Sequence, residues 1–217
     1  MEDAVYQEFL ALEANHWWFR GRRAIFTSLL DRFLDRDKGG ARKIMDLGCG
    51  VGGMLGPLAD FGQVIGTDVT LKGLQHCAQR NFPRLVACNG SEGCFETESL
   101  DCITAFDALE HIEDDVAAMA EIYRMLKPGG LLIASAPAYQ FLYAQQDRIT
   151  HHFRRYTLGE MKRKTRSVGF DVLKASYINV FLFPVILPAV LGLKVLQKLR
   201  PTPDEKAGSN VGISIPL

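Results

Sequence analysis

The chain predicts a doubly wound α/β fold: a mostly parallel sheet of six or seven strands covered by helices, with further helices capping it at the N-terminus. Three observations carry that expectation. From residue 43 onward, short apolar runs of strand length alternate with stretches of helical periodicity. The first run passes straight into a glycine-rich turn and then a helix, the arrangement open parallel sheets use at the carboxyl ends of their strands. At 217 residues, with 47% apolar and 23% charged side chains, the chain has the size and composition of one globular domain.

Taken in order, residues 3–14 and 17–36 read as helices, the second with Phe26, Leu29, Leu30, Phe33 and Leu34 at helical spacing. Asp37-Lys38-Gly39-Gly40 ends that pattern. Strands are then expected over 43–47, 63–67, 84–88, 101–106 and 131–136, with a last one over 172–179. Helices are expected over 53–60, 71–80, 114–126 and 158–168. Lys127-Pro128-Gly129-Gly130 reads as a turn leading into the strand at 131. Residues 137–156 interrupt the alternation with a long connection rich in aromatic and basic side chains, and loops of that length in compact domains usually carry function. The whole of 1–217 is one domain, with a helical cap (1–36), a ligand-binding core (40–180) and an apolar helix with a tail (181–217).

Charge and cysteine content narrow the function classes. Twenty-five basic residues balance twenty-five acidic ones, so no overall field favours nucleic acid. The five cysteines, Cys49, Cys77, Cys88, Cys94 and Cys102, form no C-x-x-C pair, which fits a reduced, cytoplasmic protein without disulfides. No glutamates or histidines fall at metal-ligand spacing, and the adjacent His151 and His152 would point apart, so no metal is expected. The acidic, amphipathic N-terminus does not read as a secretory signal. The apolar run at 178–193 is broken by Asn179, Pro184, Pro188 and Gly192, so it is not expected to span a bilayer. Peripheral contact with a membrane surface stays open, as do two other fates: burial in the domain, or a greasy entrance to a site.

The main chemistry sits in Asp46-Leu47-Gly48-Cys49-Gly50-Val51-Gly52-Gly53. Glycines let a backbone turn tightly and approach a ligand, and the following helix offers unpaired N–H groups. The glycines fit both G-x-G-x-x-G and G-x-G-x-G and cannot choose between nucleotides. Asp46 can, because a carboxylate beside the loop disfavours a pyrophosphate and suits a cationic ligand such as an ammonium. Asp68, ending the next strand, is placed either to accept from ribose hydroxyls or to cap the helix at 71–80.

In these features the chain resembles the class I S-adenosylmethionine-dependent methyltransferases, enzymes with a Rossmann-like sheet. Asp46-x-Gly48-x-Gly50-x-Gly52 resembles their first motif and Asp68 their ribose acid. Residues 99–104 resemble the fourth-strand segment, Asp107-Ala108-Leu109-Glu110-His111-Ile112 the stretch after it, and Leu126-Lys127-Pro128-Gly129-Gly130 the turn before the fifth strand. A bacterial small-molecule branch is suggested by Glu13-x-x-His16-Trp17-Trp18-Phe19-x-x-Arg22-Arg23 and by Asp147-x-x-x-x-His152-x-Arg154-Arg155-Tyr156-Thr157. Two departures stand out: the usual Leu-Pro-Phe before strand four appears as Gly93-Cys94-Phe95, and a seventh strand has no clear counterpart.

The resemblance implies S-adenosyl-L-methionine as cofactor and direct methyl transfer to a small-molecule or lipid-like acceptor. Its cofactor contacts would fall on Asp46, Gly48, Cys49, Gly50, Gly52, Asp68, Val69, Ser91 and Phe106, with Trp18 and Arg22 reaching in from the N-terminal cap. Packing for Trp18 and a solvated face for Arg22 are the plainer alternatives. His111, Asp107 or His152 could take a proton from a hydroxyl acceptor, although His111 could equally cap a helix. Arg154 and Arg155 could hold an anionic acceptor group, and Lys162, Arg163, Lys164 and Arg166 read as a solvated helix face. A nicotinamide-dependent oxidoreductase and a non-catalytic cofactor-binding module are the competing readings.

Overall fold

The computed structural model describes residues 12–13, 16–34, 42–184 and 187–192. The expected helix at 3–14 and the tail beyond 192 therefore fall almost wholly outside the described residues. Among those described, five strands form one all-parallel sheet: β1 (Lys43–Leu47), β2 (Gln63–Asp68), β3 (Leu85–Ala87), β4 (Leu100–Phe106) and β5 (Leu126–Ser135), in the order β3-β2-β1-β4-β5. The main helices are α1 (Trp17–Phe33), α2 (Leu55–Ala59), α3 (Leu71–Gln79), α4 (Asp115–Met125), α5 (Gln145–Ile149) and α6 (Leu158–Ser167).

Strands β1 and β4 are buried along nearly their whole length because both faces of a parallel sheet are covered. Alternate residues serve opposite layers. Ile44 and Cys102 pack with Leu30 and Leu34 of the α1 segment, Leu58 and Phe61. Met45 and Ile103 pack with Met119, Ile122 and Met125 of α4. Caps set the helix starts: Asp114 accepts from the Ala117 N–H before α4, and Thr157 accepts from the Glu160 N–H before α6.

Three expectations need correction. Lys127-Pro128-Gly129-Gly130 does not precede the fifth strand but bulges out of it. Leu126 already pairs with Leu100, and Leu131 rejoins the ladder at Cys102. Leu126 anchors the first part in the core, Gly129 takes the positive φ the excursion requires, and Lys127 Nζ reaches Asp101 Oδ1 at 2.8 Å. The strand expected at 172–179 does not form. That segment is held by the preceding connection instead: the Tyr177 ring stacks on Tyr139, and its hydroxyl accepts from the Leu158 N–H. Finally, Cys88 and Cys94 are joined in a disulfide with their Cα atoms 6.0 Å apart, contrary to the reduced reading. Five residues of intervening loop fold the two thiols together, a closure that pairwise spacing rules do not register.

In the apolar run near the C-terminus, Val180 and Phe181 project outward, Phe181 almost completely exposed, while Phe183 packs on Tyr139. Among the described residues no helix is long and apolar enough to cross a membrane.

Candidate functional site

The order of winding reverses between β1 and β4, and ligands of open α/β sheets bind at that point beyond the strands' carboxyl ends. A cleft of about 1640 Å³ opens there. Its wall includes ten of the residues expected to act: Trp18, Arg22, Asp46, Gly48, Cys49, Gly50, Phe106, Asp107, His111 and His152. Gly52, Asp68, Val69 and Ser91 are not part of that wall.

The turn after β1 is built as the sequence suggests. Gly48, Gly50 and Gly52 have φ of +70°, +54° and +88°. A Cβ on Gly48 would lie 2.8 Å from the Ala108 Cβ, so this glycine permits close packing. A Cβ on Gly50 would meet nothing within 4 Å, so here the backbone faces open space. Asp68 fixes the turn from the neighbouring strand: its Oδ2 accepts from the Gly50 N–H at 2.9 Å, and its Oδ1 accepts from the Thr70 N–H and hydroxyl at 2.8 and 2.6 Å. Thr70 is the residue that caps α3, so Asp68 supports the helix start from two positions further out.

Asp46 is buried at the end of β1, 3% exposed, and accepts from the Thr104 hydroxyl at 2.6 Å. Burial pushes its carboxyl up to about 7; the Thr104 bond works against this and the Asp68 charge adds to it. Cys49 hydrogen-bonds Cys77 and is buried, both of which push its thiol up, so it stays protonated. Ser91 turns its hydroxyl to Asn89 at 3.0 Å, and Val69 is largely exposed beside Asp68.

On the opposite wall, Phe106 stacks on Phe26 of α1 with ring centroids 4.0 Å apart, so much of its ring serves helix packing. Trp18 sits edge-on to Trp17. Arg22 forms an ion pair with Asp107 and lies over the Phe26 ring. Asp107 is also held by the Ser135 hydroxyl at 2.9 Å and adopts a φ of +52°.

The far part of the cleft is made by the turn Leu109–His111 and by residues 147–156. His152 Nδ1 lies 2.9 Å from Asp147 Oδ1, and its ring meets His111 edge to face at 4.6 Å. Burial, and then the neighbouring His152, bring His111 down to about 4, so it is neutral near pH 7. Burial alone would raise Asp147, but hydrogen bonds from His152, Arg155 and the Ala144 N–H outweigh it and hold this carboxyl at about 2.

Arg154 and Arg155 do not present free forks to the cleft. Arg155 Nε binds Asp147 Oδ1 at 2.7 Å, and Arg154 binds Asp115 Oδ1 at 2.9 Å and the Glu113 carbonyl. Both carboxylates are buried and need that compensation. Lys164, expected on a solvated face, also reaches Asp115, at 2.6 Å. Sequence reasoning passed over Thr104, Glu110 and Asp115 as site residues. Thr104 and Glu110 carried a signal, each as part of a quoted motif, whereas Asp115 carried none.

With this geometry in place, comparison with known proteins becomes informative. Residues 45–134 match the family described as a methyltransferase domain. A relative in Mycolicibacterium smegmatis, named as a probable S-adenosylmethionine-dependent methyltransferase, is 27% identical over 166 residues, covering 74% of this chain and 62% of its own. A ubiquinone biosynthesis O-methyltransferase of Cupriavidus pinatubonensis is 27% identical over 188 residues, covering 74% of this chain and 75% of its own. Among solved structures, phosphoethanolamine N-methyltransferase 2 of Haemonchus contortus, in complex with S-adenosyl-L-methionine, superimposes with a TM-score of 0.68 at 19% identity, covering 92% of this chain and 48% of that one. This chain thus spans less than two thirds of the mycobacterial relative's length. Residues 45–134 are thus similar to a methyltransferase domain, and the parallel sheet is the fold of the solved methyltransferase on which the chain superimposes.

Proposed function

We propose that the chain binds S-adenosyl-L-methionine at the β1–β2 end of the cleft and transfers its methyl group to a small-molecule or lipid-like acceptor held toward His111 and His152. One observation carries the reading: a buried carboxylate, Asp46, stands beside a positive-φ glycine turn whose middle glycine faces open space, and both line a cleft that continues to the histidines. The residues present fit the cofactor. Asp46 suits its ammonium group, the remaining lone pairs of Asp68 suit ribose hydroxyls, and the room at Gly50 lets a ligand lie against the backbone. Arg22 can exchange its Asp107 partner for the cofactor's carboxylate.

When bound, the cofactor supplies a methyl carbon already activated by sulfonium. The protein's own task is therefore alignment and exclusion of water, and well-oriented reactants reach effective molarities of roughly 10⁵ M or more. His152 is the group best placed to take a proton from a hydroxyl acceptor, since Asp147 fixes its Nδ1 and leaves Nε2 for the cleft. Asp107 has both oxygens engaged and acts as a positioning group. Calorimetry with S-adenosylhomocysteine, followed by a labelled-methyl screen of pooled metabolites and lipid extracts, tests this. Heat with NAD and none with S-adenosylhomocysteine would replace this reading with the oxidoreductase alternative, and cofactor binding without any acceptor would leave a binding module. The ubiquinone-pathway relative makes hydroxylated aromatic compounds the first acceptors to try.

A further inference from the structure

Glu110 has no part in the chemistry above, and its surroundings call for one. It is fully buried, and among the described residues neither carboxylate oxygen has a hydrogen-bond partner. A buried acid without partners costs several kcal/mol if ionised, so such groups are ordinarily paired or bound to a cation. Beside it are His111 and His152, and one candidate ligand atom from each of the three residues lies within 4.8 Å of the others.

The supporting shell matches what metal-binding histidines need. An imidazole ligand uses one nitrogen for the ion and fixes the other on a carboxylate or a backbone carbonyl. His152 commits Nδ1 to the buried Asp147, itself clamped by Arg155 and the Ala144 N–H. His111 hydrogen-bonds the backbone of His151. Two imidazoles and one carboxylate form the donor set of catalytic zinc sites, which keep a further position open. All three residues line the cleft, so that position would face the acceptor. Ligand bonds of about 2.1 Å in a tetrahedral site require donor atoms roughly 3.4 Å apart, a contraction within reach of side-chain rotation.

We propose that Glu110, His111 and His152 bind a divalent transition-metal ion of the zinc class at the acceptor end of the cleft. The ion's effect on the acceptor rests on the methyl-transfer reading, whereas its binding does not. An acceptor hydroxyl on the open position would lose its proton to water more readily, leaving an oxygen that attacks the methyl group. In the loaded protein His152 gives its Nε2 lone pair to the metal, and its role as a base belongs to the metal-free form.

The test uses tag-free, chelator-stripped protein titrated with Co²⁺ alone, read by visible absorption, with Zn²⁺ as competitor. One equivalent should bind with ligand-field bands, and Zn²⁺ should displace it. Glu110→Gln and His152→Gln should each weaken Co²⁺ binding by roughly 100-fold, at least the loss that outer-shell changes cause. S-adenosylhomocysteine affinity, measured on the same samples, should stay within about twofold of wild type and so reports the fold and the cofactor site separately. Absence of saturable Co²⁺ binding to wild type, or wild-type Co²⁺ affinity in either variant, overturns the proposal whatever the cofactor result. Loss of S-adenosylhomocysteine binding by wild type, with Co²⁺ binding intact, would sink the methyltransferase reading and leave the metal site standing.

Discussion

The cofactor end of the cleft and its histidine end are assembled on different principles. At the first, Asp46, the glycine turn and Asp68 come from one β-α-β unit, and backbone geometry does most of the shaping: the turn's N–H groups and positive-φ glycines define the space. At the second, Glu110 and His111 follow β4 while His152 arrives after α5, and side-chain ion pairs do the shaping through Asp147 and Asp115. A backbone-built site is narrow in what it accepts and hard to detune. A site built from paired side chains depends on each partner, and each can be removed singly.

That contrast can be broken at either end. The largest effect should come from Gly50→Val: its φ of +54° is closed to a β-branched residue and the added methyls enter the ligand's space, so calorimetry should detect no S-adenosylhomocysteine heat. Next is the pH dependence of binding. Asp46 titrates at about 7 in the free protein, so below that pH it holds a proton that a cationic ligand must expel. Affinity should be flat above pH 7 and fall by about tenfold per unit below it, roughly 100-fold by pH 5. Asp46→Asn should bind weakly at every pH and show no such slope. If wild type is as flat as the variant, Asp46 does not face the cationic group.

Asp68→Ala should weaken S-adenosylhomocysteine by about 1.5–3 kcal/mol, the scale of hydrogen bonds to a charged group. Part of that loss should come from the Gly50 N–H it now holds. At the histidine end, Arg155→Ala should leave cofactor affinity unchanged and lower unfolding free energy by about 1–3 kcal/mol, since buried Asp147 loses one of its donors. A denaturant midpoint equal to wild type would show that Arg155 is not needed for that compensation. The smallest effect belongs to Lys127→Ala on the exposed β5 excursion, where the pair with Asp101 should contribute under about 0.5 kcal/mol.

The same contrast decides what was legible in the sequence. β1, β2 and β4 appear as apolar runs with bounds within a residue or so of those observed, and the glycine turn is a contiguous motif. Asp68 was legible because strand ends follow from strand pattern. The residues that only the fold brings together were not. Glu110 and His111 reach His152 across α4, β5 and α5, so no spacing rule flags the trio. Arg154 and Arg155 read as free donors because their acids, Asp115 and Asp147, are buried by tertiary packing alone. The strand expected at 172–179 failed for a related reason: Tyr177 is held by Tyr139 and Leu158, a tertiary contact that the segment's own sequence does not announce.

The strand order also governs how the molecule comes together in time. Ile44 of β1 pairs with Val64 on one side and with Cys102 on the other. Closing the longer of these two loops costs only about 1 kcal/mol more in chain entropy, but it must wait until more of the polypeptide has been made. Emerging from the ribosome N-terminus first, the chain can join β1, β2 and β3 around the glycine turn before Cys102 exists to pair with Ile44. The flank of β1 that will receive β4 stays open during that interval, with Ile44 and Met45 lacking their β4 neighbours Cys102 and Ile103. An unpaired, apolar strand edge is where a nascent chain is most exposed to wrong partners. Truncations ending before residue 100 should therefore aggregate, while those that include β4 and α4 should gain solubility abruptly.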